Sequence, residues 1–175
     1  MSHLYCDTNP LMRWAEAQAS SADQRSLIAA KRVEELINGA TLAAISEVTL
    51  IEFHTNVCIF RRHNKPGDHD DAWLERVQTE VMRWIANGDL TVLAPTPRMF
   101  ETAMSYITLA QSKGRSLRAM DAAHLCRATE WARETGQMVT VLTGDPDFGD
   151  FLMLFPRFRD FIEIESIGTL DACDR

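Results

Sequence analysis

The sequence predicts an α/β fold in three layers, with helices covering both faces of a mostly parallel central sheet. Two observations carry this expectation. Short apolar runs of strand length alternate with segments whose apolar residues recur at helical spacing, a rhythm that points to strands joined by helical crossovers. Several of those runs also end directly on turn-forming residues that carry carboxylates, and right-handed crossovers bring such loops to one edge of the sheet, where ligands of open α/β sheets gather.

Taken in order, a first strand at 4–6 ends on Asp7, Thr8, Asn9 and Pro10, which places a carboxylate at its far end and opens a helix with Pro10 in the first turn. The next helix starts near Ser21, where Ser21 and Gln24 have capping-box spacing. It carries Ile28, Val33, Leu36 and Ile37, and Asn38 and Gly39 stop it. A strand at 41–45 runs into SEVTLIEFHTNVCIFRR, a helix with Leu50, Phe53, Val57 and Phe60 on one stripe. HNKPGDHDD, at 63–71, reads as an open loop. The helix that follows, at 72–86, has Trp73, Val77, Val81, Trp84 and Ile85 at helical spacing and ends on Asn87 and Gly88. After a strand at 90–93, Thr96 has the place of an N-cap and Pro97 that of a first helical residue, for a helix turning Met99, Ala103, Ile107 and Ala110 inward. A helix at 117–135 leads to VTVLTGDPDF, a short buried strand followed by Thr143, Gly144, Asp145, Pro146 and Asp147. A last strand is expected at 161–165.

The chain of 175 residues suits one well-buried core. A single domain over 1–175 is expected, with an extended middle at 63–88 and a C-terminal tail at 155–175. No apolar run approaches a membrane span, and MSHLYCDTNP lacks the basic and apolar regions of a signal peptide, so no membrane role and a cytoplasmic location are expected. Cys6, Cys58, Cys126 and Cys173 form no CxxC pair and have no histidines at zinc spacing, which favours free thiols. The formal net charge of −7 argues against a general nucleic-acid coat. It leaves room for an enzyme on a polyanion that works through metal ions and local basic residues. Two basic clusters exist, Arg61, Arg62, His63 and Lys65, and then Lys113, Arg115 and Arg118; each reads equally well as solvated surface or as a phosphate contact.

The strand order brings acids together. Asp7 follows the first strand, Glu47 and Glu52 the second, and Asp145 and Asp147 the fourth, while Asp121 sits near the start of a helix whose inward neighbours are Leu125 and Ala128. Crowded carboxylates raise one another's pKa and need a compensating positive charge. Hard oxygen ligands favour Mg²⁺ or Mn²⁺ over zinc, and those ions support phosphodiester cleavage. Each acid also has a structural reading. Thr49 and Glu52 have capping-box spacing, Asp121 suits a first turn, and Asp145 before Pro146 suits an N-cap with Asp147 in the same turn. Asp7 has no evident local task.

DTN after the first strand, SEVTLIEF after the second, RAMDAAHL on a late helix and LTGDPDF after a late strand resemble the four acidic motifs of the PIN-domain family, best known in bacteria as VapC-type toxins. The resemblance covers residues 3–155. It implies a Rossmann-like α/β/α domain that cuts RNA with Mg²⁺ or Mn²⁺. By motif position Asp7, Glu52, Asp121 and Asp145 match the acidic quartet, and Asp147 matches an auxiliary acid. Thr8 or Asn9 and Thr143 match the polar residues that orient those carboxylates, and Glu47 falls outside the set. His124 reads as a packed or partly exposed histidine on a neighbouring face rather than a ligand. Met12 and Trp14 fit either an antitoxin-receiving surface or core packing.

The function expected is therefore a metal-dependent endoribonuclease, the toxin of a type II toxin–antitoxin pair, with RNA as substrate, a cognate antitoxin as partner and a homodimeric state. Lys113, Arg115 and Arg118 are the expected RNA contacts. The alternatives are a catalytically silent PIN-like module that binds RNA or protein, and an aspartate-based phosphatase. The phosphatase normally needs a second aspartate where Asn9 stands.

Overall fold

A computed structural model describes residues 3–19, 22, 24–63 and 69–167, apart from the side chains of residues 25 and 61–63. Five strands, β1 (His3–Cys6), β2 (Leu42–Ser46), β3 (Thr91–Leu93), β4 (Val139–Thr143) and β5 (Ile162–Ser166), form one sheet in the order β3-β2-β1-β4-β5. Every neighbouring pair is parallel, in agreement with the expected sheet. The helices are α1 (Thr8–Ala17), α2 (Gln24–Gly39), α3 (Glu47–His63), α4 (Asp71–Asn87), α5 (Met99–Gln111), α6 (Ala119–Thr135) and α7 (Pro146–Leu154), and a 3₁₀ turn at Pro156–Asp160 precedes β5.

The layers follow from side-chain alternation along the strands. In β1, Leu4 and Cys6 point into a core shared with α1 to α4, while Tyr5 points the other way into a core shared with α5 to α7. Val139 and Val141 of β4 share the second core with Tyr5, and Leu142 joins the first. A sheet buried on both faces explains why every residue of β4 is buried, without alternation. In the first core Trp73, Val77 and Val81 of α4 are buried, and the Trp73 indole N–H donates to the Ala15 carbonyl at 3.0 Å, fixing α4 to α1. Gly88 ends α4 in a left-handed conformation, φ 83°, that favours glycine.

Four expectations change. The antitoxin-surface reading of Met12 and Trp14 gives way to core packing: both side chains are buried, and the Trp14 N–H donates to Glu34 at 2.9 Å. Ile28 is 46% exposed because α2 buries a stripe of Ser26, Ala30, Val33 and Ile37, from which Ile28 is offset. The fifth helix starts at Met99, later than Thr96 and Pro97 suggested, with Arg98 as a cap that makes no side-chain bond. The Thr96 hydroxyl instead donates to Glu130 at 2.8 Å, a tertiary partner in place of a cap. Glu52 does not cap α3 either, since Ser46 and Thr49 cap it reciprocally: each hydroxyl accepts from the other's backbone N–H, at 3.2 and 3.1 Å.

Cys6 and Cys126 are free and buried, and Cys58 is free and half-buried; burial pushes the thiols of Cys6 and Cys126 up to about 12. Ser21, the loop at 64–68, Cys173 and the tail at 168–175 lie outside the described residues. Among the described residues no helix is long and apolar enough to cross a membrane.

Candidate metal centre

In the strand order β3-β2-β1-β4-β5, connections leave β1 toward β2 on one side and β4 has its neighbour β5 on the other, so the crevice between the ends of β1 and β4 is the switch point of the sheet. Asp7 and Asp145 stand on its two sides. Asp7 ends β1 with its N–H donating to the Leu142 carbonyl at 3.0 Å, then serves as N-cap of α1, so it does have a local task. Asp145 is the N-cap of α7 and accepts from the Asp147 N–H at 2.9 Å. One hydroxyl joins the two sides: Thr143 donates to Asp7 Oδ2 at 2.8 Å and accepts from the Asp145 N–H at 3.0 Å.

The remaining acids arrive from helices. Asp121 is buried in the first turn of α6, and Glu52, one and a half turns into α3, is half-buried. Ligand-capable atoms of Asp7, Glu52 and His124 lie within 4.8 Å of one another, and so do those of Asp121, Asp145 and Asp147. The five acids of the motifs thus fall into two neighbouring halves. Glu47 is exposed at the start of α3 and belongs to neither. Thr8 donates its hydroxyl to Glu52 Oε2 at 2.5 Å and its N–H to Asp7 Oδ1 at 2.6 Å, whereas Asn9 is exposed.

His124 differs from the expectation. Residues three apart share a helix face, so His124 follows Asp121 to the sheet edge. Its side chain is 1% exposed, with Nε2 2.9 Å from Glu52 Oε2 and 3.3 Å from Asp7 Oδ1. On the other side of the ring, Nδ1 is 2.9 Å from the Tyr5 hydroxyl, which donates to Ser46 Oγ at 3.0 Å; Ser46 in turn meets Thr49 Oγ1 at 3.1 Å. Since the Tyr5 hydroxyl donates to Ser46, its oxygen is open to Nδ1–H of His124, and Nε2 faces the two carboxylates. Burial pushes the His124 pKa down, but Tyr5, the bond to Glu52 and the charge of Asp7 outweigh it and raise the value to about 10. For Glu52, burial pushes up, and the hydrogen bonds from His124 and Thr8 outweigh it and hold the carboxyl below its ordinary value.

Arg118, an expected RNA contact, is engaged with two of the acids. Its Nε donates to Asp121 Oδ2 at 2.7 Å and a terminal nitrogen bonds Asp145, while the side chain stays 67% exposed. Burial raises the Asp121 pKa above its ordinary value, opposed by Arg118 and reinforced by the charges of Asp145 and Asp7. Of the other expected RNA contacts, Lys113 is exposed and Arg115 pairs with Asp150 at 3.5 Å. The side chains of Arg61, Arg62 and His63, and Lys65 altogether, lie outside the described residues.

The donor chemistry fits a hard divalent cation: Asp121, Asp145 and Asp147 offer oxygen alone, and among the described residues the cation paired with the first two is the exposed guanidinium of Arg118.

A five-stranded parallel sheet between two helical layers, with acids at its switch point, is an α/β/α fold of PIN type. The solved structures similar to it agree. A chain of FitAB bound to a DNA fragment matches with a TM-score of 0.60 at 15% identity, over 94% of this chain and 95% of that one. VapBC2 from Rickettsia felis, bound to a DNA fragment from their promoter, matches at 0.57 and 16% identity, over 94% and 98%. VapC20 from Mycobacterium tuberculosis, a sarcin-ricin loop cleaving toxin, matches at 0.54 and 19% identity, over 84% and 93%. No family model and no curated protein matches the sequence. At these identities the shared property is the fold.

Proposed function

We propose that this chain is a metal-dependent endoribonuclease that hydrolyses RNA phosphodiester bonds, the toxin of a type II toxin–antitoxin pair. The observation that carries the reading is the arrival of Asp7, Glu52, Asp121 and Asp145, from four separate elements, at the switch-point edge of a fold shared with toxin–antitoxin structures. Similarity to a toxin that cleaves the sarcin-ricin loop supports RNA as the substrate.

Mg²⁺ or Mn²⁺ is the cofactor, held by acids of the cluster with Asp147 as auxiliary; such an ion polarises a phosphoryl oxygen and lowers the pKa of bound water. The chain's own residues set the geometry. Thr143 fixes Asp7 and the start of α7, and Thr8 fixes Glu52 against Asp7. Glu52, held ionised by His124 and Thr8, can accept a proton from water beside the scissile phosphate. Lys113 and Arg115 would contact flanking phosphates, and the exposed Arg118 side chain would join them where a bound cation neutralises Asp121 and Asp145. A cognate antitoxin, a homodimer and a cytoplasmic location complete the proposal.

The test is cleavage of a structured RNA by the purified chain. Cutting is expected with Mg²⁺ or Mn²⁺, none with a chelator, and none in Asp7→Asn or Asp121→Asn. Unchanged cutting in both variants would sink the reading.

A further inference from the structure

A groove of about 250 Å³ runs between α1 and α3 beside the acid cluster, and no step of the proposed cleavage uses it. The helices that form it are the ones that carry two of the acids. Asn9, on one wall, follows Asp7 and Thr8 at the start of α1 and lies against the turn after β4, its Cβ 3.5 Å from where a Cβ on Gly144 would stand. Asn56, on the other wall, is four residues beyond Glu52, so the two share a face of α3. The groove therefore opens directly off the cleft in which a scissile phosphate would lie.

Its lining suits a nucleobase better than a phosphate. Arg13 lies in it, but Glu16, also in the lining, pairs with it at 3.4 Å, so the groove has no surplus of positive charge. Ile59 and Phe60 supply an apolar wall. The Phe60 ring is backed by His69, stacked at 22° with centroids 5.9 Å apart, and His69 in turn packs edge-on to the buried Trp73. Two neutral amides are left to form hydrogen bonds. Among the described residues neither Asn9 nor Asn56 has a side-chain hydrogen-bond partner, although Asn56 is half-buried. An amide presents a donor beside an acceptor, which matches the N6 amino group and N7 of adenine, whereas the paired acceptors of guanine call for an arginine fork. Bases of single-stranded RNA are read in this way, splayed from their neighbours against apolar or aromatic side chains.

We propose that the groove between α1 and α3 binds the nucleobase adjoining the scissile phosphate, that Asn9 and Asn56 read its edge, and that adenine is the base preferred. This rests on the cleft being a ribonuclease site. It makes the two asparagines determinants of where the RNA is cut.

The experiment uses the full chain and its Asn9→Ala and Asn56→Leu variants, both of which place good helix formers in a helix. Fluorescence anisotropy follows the binding of labelled oligoadenylate and oligouridylate at low salt, with Ca²⁺ as the oxygen-liganded ion and each oligonucleotide checked intact. Cleavage sites are mapped separately in a random-sequence RNA with Mn²⁺. The wild type should bind oligoadenylate about tenfold tighter than oligouridylate, and each variant should bring the two close to equal by weakening oligoadenylate alone. Cuts should fall beside adenine in the wild type and lose that preference in both variants. Equal binding of the two oligonucleotides by the wild type, binding of neither, or an adenine preference that survives in either variant overturns the proposal; survival in both is what a groove for a protein segment gives. A loss of cutting that is the same beside every base overturns it too, since that marks a structural role. Cuts placed without regard to adenine overturn the base site alone and leave the ribonuclease reading. If binding follows the expected pattern but no RNA is cut with Mn²⁺, the ribonuclease reading fails while the groove is kept as an adenine site.

Discussion

The Thr143 hydroxyl bonds both Asp7 and the Asp145 backbone, so one oxygen sets the spacing of two acids that are far apart in sequence. Replacing Thr143 by valine keeps the shape and removes that tie; loss of such an orienting partner costs about 10–100-fold in activity or metal affinity, measurable by RNA cleavage rates and by calorimetry. Asp121 shows the opposite balance, function set against stability. Its carboxyl is raised above the ordinary 3.8 mainly by burial. The native chain therefore binds more protons than the unfolded chain above that value, stability falls as pH rises through the raised pKa, and the cost is complete at neutral pH. Asp121→Asn is expected to lose cleavage yet melt higher than the wild type at pH 7, with the gain shrinking as pH falls toward the ordinary aspartate value. An unchanged or lower melting temperature at pH 7 contradicts this balance.

Among the elements, α4 tests how local signals are written. Asp70 accepts from the Trp73 N–H at 2.8 Å as N-cap, Gly88 closes the other end, and Trp73, Val77, Val81 and Trp84 face the core. Asp70→Ala should cost about 1 kcal/mol in urea unfolding and leave Mn²⁺ binding unchanged. Helix faces such as this one were legible because a 3.6-residue period and a cap are local properties. The start of α5 was not, because Thr96 has two possible partners and the one it takes, Glu130, comes from another helix. The same competition decided α3: Thr49 bonds Ser46 rather than standing in a box with Glu52, which frees Glu52 for Thr8 and His124.

At the scale of the whole molecule, the net charge of −7 means that RNA is not drawn in by a general field. With Lys113, Arg115 and Arg118 as the proposed phosphate contacts, about three phosphates are neutralised, and log K for single-stranded RNA should fall with log salt at a slope of about −2.1. A slope several times steeper places the RNA on a larger basic surface than these residues provide. By itself the sequence determined the layered parallel fold and the edge at which its acids meet, since hydrophobic period and crossover handedness dictate both, while the motif residues were read from a resemblance to the PIN-domain family. Only the tertiary structure decided that Arg118 closes the outer acids and that His124, backed by Tyr5 and Ser46, closes the inner pair. Those partners lie up to 119 residues apart, and no local pattern records which donor reaches a carboxylate once the chain has closed around it.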